Sequence, residues 1–173
     1  MNSNLFKKIG LVLLGVLVVI QFIKPARNEG NAKGENDISQ VVEVPASVQT
    51  ILETSCYDCH SNHSEYPWYT NVQPFGFWIQ DHINDGKKHL NFSEFKTYTA
   101  KKQAHKLEEV AEEVEGHEMP LYSYTLIHKN AVLSDAQMEE LIRWAKANQM
   151  MIKSGMQSAP AEAAPAEESQ EGH

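Results

Sequence analysis

The chain is 173 residues long, room for one ordinary domain with appendages. Its 15 Lys and Arg against 23 Asp and Glu leave a formal charge of −8, which argues against nucleic acid as a partner because phosphate binding needs a clustered basic surface. The two cysteines are too few for a disulfide-stapled scaffold or a four-thiolate metal site.

Residues 9–23 read IGLVLLGVLVVIQFI, uncharged, with Gln21 the only strongly polar member. As a helix this run spans about 22 Å, short of the roughly 30 Å hydrocarbon core. Leu5 and Phe6 extend it, and Lys7 and Lys8 are placed to snorkel. Lys24 occupies a position where a signal-peptide cut needs a small residue. Residues 1–27 are therefore expected to form an uncleaved signal anchor, with everything after Arg27 outside the cytoplasm. Residues 28–43, polar and glycine-containing, are expected as a tether.

Residues 44–153 carry helical spacing throughout and no alternating strand pattern, so the expected fold is all-α. Val48, Ile51, Leu52 and Ser55 share a face of a first helix, opened by Pro45. Pro74 is expected to start a second helix and Gly86 to end it. Ala104, Leu107, Ala111 and Val114 line a third, with Gly116 as its C′ residue. In the last helix Ser134 and Gln137 form a capping box, Leu133 and Met138 a hydrophobic staple, and Met138, Leu141, Ile142 and Ala145 the buried face. Residues 154–173, rich in Glu, Ala and Pro, read as a disordered acidic tail.

Both cysteines sit in Cys56-Tyr57-Asp58-Cys59-His60, the C-x-x-C-H signature of c-type haem attachment. Each thiol would add across one vinyl group of protohaem. Residues three apart on a helix share a face, which would bring Cys56 and Cys59 to one edge of the ring. His60 follows where its imidazole could bind iron through one nitrogen while the other donates to a backbone carbonyl. Tyr57 and Asp58 read as spacers. A thioredoxin-like pair lacks its βαβ setting, and a zinc site from Cys56, Cys59, His60 and His63 is too compact.

An electron-carrying haem also needs a second axial ligand. Met119 is the first candidate, because Pro120 biases it toward extended backbone in a loop and a soft thioether suits Fe(II). His117 and His128 are the alternatives. Trp68, Tyr69, Phe75, Phe77 and Trp78 read as core or as haem packing. Lys87, Lys88 and Asn91, and His82 and His89, are weaker candidates for contact with haem propionates. A haem-free chain is expected to hold a cavity lined by Cys56, Cys59, His60 and Met119.

The runs CYDCHSNHSEYPWYTNVQPFGFWIQDHINDGKKHLNFSEF and EMPLYSYTLIHKNAVLSDAQMEELIRWA resemble the haem-binding domain family of small, membrane-anchored bacterial c-type proteins, over about residues 45–150. The resemblance implies one covalent haem c on Cys56 and Cys59, iron held by His60 and Met119, and a cytochrome c-like arrangement with Trp144 between the first and last helices. On this reading the protein is a one-electron carrier of the bacterial inner membrane, its haem domain in the periplasm. Its partners would be redox proteins of the periplasmic face, a respiratory complex or a dehydrogenase. The alternative is a peroxidase-like or ligand-binding haem with an open or labile sixth position.

Overall fold

A computed structural model describes residues 3–158. Within them are seven helices and no strand: α1 (Ser3–Ile20), α2 (Ala46–Ser55), α3 (Tyr57–His60), α4 (Phe75–His89), α5 (Ala100–Glu115), α6 (Tyr122–Thr125) and α7 (Asp135–Ser158). Turns of 3-10 helix lie at Ile38–Gln40, Trp68–Asn71, Phe92–Thr97 and Lys129–Ala131.

The expected helical faces are met. Val48, Ile51, Leu52 and Ser55 are buried on α2, with Pro45 at its N-cap. Ala104, Leu107, Ala111 and Val114 are buried on α5. Antiparallel α5 and α7 pack along their lengths, with Glu115 facing Lys146 and Glu108 facing Lys153. The capping box at Ser134 and Gln137 forms in both directions. Leu141 and Ala145 close the core together with Ile38, Leu52, Phe92, Phe95 and Leu107. α7 packs against α2, and Trp144, in the same buried core, donates its indole N–H to the Glu43 carbonyl at 2.9 Å.

Five expectations change. Among the described residues no helix is long and apolar enough to cross a membrane, which overturns the anchor at residues 1–27 and with it the inner-membrane and periplasmic placement. The helix stops at Ile20, so its uncharged part, residues 9–20, is only about 18 Å long. The rest of the apolar run turns onto the domain. Gln21 donates to the Gln73 carbonyl and accepts from the Gln73 N–H, and Lys24 donates to the Asn71 carbonyl.

Residues 28–43 are no tether. Ile38 and Asp37 are fully buried and Val42 nearly so. The Asn28 carbonyl accepts from the Ser64 N–H and the Gly30 N–H donates to the Asn62 carbonyl, forming an isolated antiparallel bridge between Glu29 and His63. Asn28 is buried, its amide donating to the Ser61 carbonyl and to Ser64 Oγ while its oxygen accepts from Lys87 Nζ. The polar composition that suggested a solvated linker instead supplies hydrogen bonds across the fold.

Gly86 does not end α4, which runs on to His89. A Cβ at Gly86 would stand 2.7 Å from the Cys59 carbonyl oxygen and 3.2 Å from the Cys59 Cβ, so the missing side chain is what lets α4 lie against α3. At the end of α5, Gly116 is the C-cap with φ −77°, and His117 takes the left-handed position with φ 58°. The bonds His117 N–H to Val114 and Glu118 N–H to Glu113 complete a Schellman motif one residue later than the glycine suggested. Finally, α7 continues through residue 158. The remainder of the expected acidic tail lies outside the described residues.

Candidate haem site

α2 ends as Cys56 leaves helical geometry (φ −127°, ψ −41°), and the single turn α3 carries Tyr57 to His60. The two cysteines therefore do not share one helix. Cys56 packs against the hydrophobic core, whereas Cys59 lines a separate cavity. Both thiols are free and half-buried. Burial, with a smaller push from Cys59, raises the Cys56 thiol to about 12. Burial, then Asp58, raises Cys59 to about 11.

His60 is oriented by a residue 30 positions downstream. α4 ends at His89, Leu90 turns extended, and its freed carbonyl meets His60 Nδ1 at 3.0 Å. A carbonyl only accepts, so Nδ1 carries the proton and Nε2 presents a lone pair. Burial lowers the His60 pKa, opposed by the Leu90 and Gly86 carbonyls, and this favours the neutral ring that binds a metal. Phe92 meets the imidazole edge-on, with ring centres 6.3 Å apart.

Neither residue between the cysteines is a spacer. Tyr57 is buried, stacks on Phe92 at 5.4 Å, and donates to the Asp37 carboxylate at 3.0 Å. Asp58 accepts from the Glu65 N–H at 2.9 Å and from the Tyr124 hydroxyl at 2.6 Å.

The cavity measures about 260 Å3. α4 and the 60s loop form one wall, with Tyr69, Phe75, Trp78, Ile79 and His82; residues 121–128 form the other, with Leu121, Tyr124, Leu126, Ile127 and His128. Phe75, Trp78, Leu126 and Ile127 remain 46–60% exposed, so a flat apolar ligand would cover surface that is otherwise wet. Two wall histidines repeat the His60 arrangement: His82 Nδ1 meets the Trp78 carbonyl at 2.9 Å, and His128 Nδ1 the Tyr124 carbonyl at 3.1 Å. His128 also stacks on Tyr124 at 4.1 Å and meets the Tyr69 hydroxyl through Nε2 at 3.3 Å.

Of the four residues expected around one cavity, only Cys59 lines it; Cys56, His60 and Met119 do not. Met119 is half-buried, its N–H donating to the Glu113 carbonyl at 3.2 Å. His117 is exposed. Lys87 and Asn91 serve the fold, bonding Asn28 and Asn62. His89 faces Asp85 within α4. Tyr69, Tyr124 and Asp58 emerge only in three dimensions, since nothing in their spacing ties residue 58 to residue 124.

Two thiols, a neutral imidazole held through Nδ1, and an adjoining apolar cleft with partly exposed walls form a donor set and a surface that suit haem. No curated protein and no solved structure matches the chain. A family model described as haem-binding domain matches residues 15–147, most of the sequence, and the chain belongs to that haem-binding domain family.

Proposed function

We propose that the protein is a monohaem c-type cytochrome that carries single electrons. Cys56 and Cys59 would hold the haem by thioethers, His60 would bind iron through Nε2, and Met119 would supply the second axial ligand. The observation that carries this reading is the His60–Leu90 bond beside Cys59. It fixes the tautomer a proximal ligand needs, within the C-x-x-C-H motif. When bound, the iron supplies reversible one-electron exchange between its ferrous and ferric states. The chain's own part is to hold the imidazole neutral and to shield the ring against Tyr69, Phe75 and Trp78. The net charge of −8 favours docking on a basic patch of a redox partner, with salt-sensitive association.

The test is an absorption spectrum of protein produced with haem-attachment machinery. c-type bands in the reduced protein that survive denaturation, and their loss in Cys56→Ser with Cys59→Ser, support the reading. Their absence from the wild type overturns it.

One observation favours a second reading, a haem with an open sixth position that binds small ligands or reacts with peroxide. Met119 is not on the cavity wall, whereas His82, His128, Tyr69 and Tyr124 are. Carbon monoxide separates the two. Refusal by the wild type and uptake by Met119→Ala support the carrier; immediate uptake by the wild type supports the open site.

A further inference from the structure

Residues 121–128 form a cavity wall with little core of their own. No residue of α6 is buried, and Tyr122, Leu126 and Ile127 are 77%, 48% and 60% exposed. The helix packs on the turn at Lys129–Ala131. Among the described residues, two side-chain hydrogen bonds join this wall to the rest of the cavity: Tyr124 to Asp58 at 2.6 Å, and Tyr69 to His128 at 3.3 Å. The first is short and directed at a carboxylate, the stronger class of bond; the second is long.

The stronger bond starts inside the attachment motif, because Asp58 is the residue before Cys59. Its second oxygen is already held by the Glu65 N–H, and its carbonyl accepts from Ser64. The carboxylate is thus a fixed post rather than a swinging surface charge. On the other side, the Schellman turn ties the Glu118 and Met119 N–H groups to the Glu113 carbonyl. Met119 therefore lies between one backbone clamp at the end of α5 and one side-chain latch five residues later at Tyr124.

We infer that Asp58 and Tyr124 are positioning residues, a latch that holds residues 118–128 closed over the cavity and so sets where Met119 stands relative to the haem motif. The effect on Met119 rests on the axial reading proposed above; the closure of the wall does not. Breaking the latch leaves Asp58 without its phenol and lets an otherwise coreless segment open locally.

The test uses the full haem-loaded chain and Tyr124→Phe, which keeps the ring that stacks on His128, with Asp58→Asn as a variant that retains an uncharged acceptor. Amide hydrogen exchange is read over residues 118–128 and over α5 and α7, and carbon monoxide association is read on the reduced protein. The expected result is faster exchange confined to residues 118–128 in Tyr124→Phe, with carbon monoxide uptake accelerated about tenfold or more. Asp58→Asn should fall between Tyr124→Phe and wild type. Unchanged exchange in Tyr124→Phe overturns the latch, whatever the haem does. Faster exchange with unchanged uptake, in a protein whose wild type refuses the gas, overturns the positioning of Met119. A wild type that takes the gas at once, with exchange still raised by the variant, keeps the latch and refutes methionine ligation instead.

Discussion

Replacing Gly86 by alanine sets two effects of opposite sign against each other. Gly86 is inside α4, where alanine should gain about 0.5–1 kcal/mol from helix propensity alone. The new Cβ would meet the Cys59 carbonyl oxygen at 2.7 Å. Ordinary contact begins near 3.4 Å, so α3 and α4 would have to separate by about 0.7 Å. The obstacle is backbone, which cannot rotate away as a flexible side chain could. Overpacking of this kind costs about 1–3 kcal/mol; a mid-range cost of about 2 kcal/mol less the propensity gain leaves an expected net loss of about 1–1.5 kcal/mol, or roughly 2–6 °C in Tm for a chain of this size. Thermal unfolding of the haem-free chain measures it, with Gly155→Ala as the comparison, because a Cβ there meets nothing within 4 Å among the described residues. The same displacement carries Cys59 and His60 away from Leu90, so haem incorporation should fall together with Tm. A Gly86→Ala protein at least as stable as wild type, with full haem loading, would refute the argument that close approach governs this position.

Three other outcomes follow from the same geometry. In the folded haem-free chain the thiols at about 11 and about 12, against an ordinary 9.0, should alkylate at neutral pH about 100-fold (Cys59) and about 1,000-fold (Cys56) more slowly than in urea. The folded state holds those protons more tightly, so stability is full below about pH 9 and declines as pH rises beyond it; equal alkylation rates with and without urea would contradict this. Asn28→Ala removes three side-chain hydrogen bonds and strands the Ser61 carbonyl, and should cost about 2–4 kcal/mol in urea unfolding, whereas a solvated linker would show no change. His117→Gly relieves a left-handed backbone at φ 58° and should raise stability by about 1 kcal/mol. The haem spectrum should stay unchanged, and an altered spectrum would point to His117 as an iron ligand.

The parts of the fold that the sequence announces are those governed by local periodicity. Val48, Ile51, Leu52 and Ser55 face inward because i, i+3, i+4 spacing leaves one side of a helix apolar, and Ser134 and Gln137 reveal a helix start from three residues' distance. The attachment motif is legible for a similar reason, since its chemistry requires adjacent residues. What stays hidden depends on partners far along the chain. Asn28 and Asp37 look like linker residues until Ser61, Ser64 and Tyr57 are brought to them. Gly86 looks like a helix stop because the reason for it, the Cys59 carbonyl, lies on another element. The apolar run at residues 9–23 also misleads, since composition reports its hydropathy but not that Gln21 would bind Gln73 and end the helix.

The bond between His60 and Leu90 also has a meaning in time. A ribosome adding about 5–20 residues per second needs about 2–6 seconds to pass from residue 60 to residue 90. During that interval the imidazole has no carbonyl to orient it, and Gly86 has not yet arrived to pack on Cys59. The core behind Cys56 waits longer still, for Leu141 and Trp144 near the far end of the chain. The order of synthesis thus leaves the two sulfurs open to whatever chemistry will claim them first, and α7, made long after the motif, is the helix that shuts in Cys56.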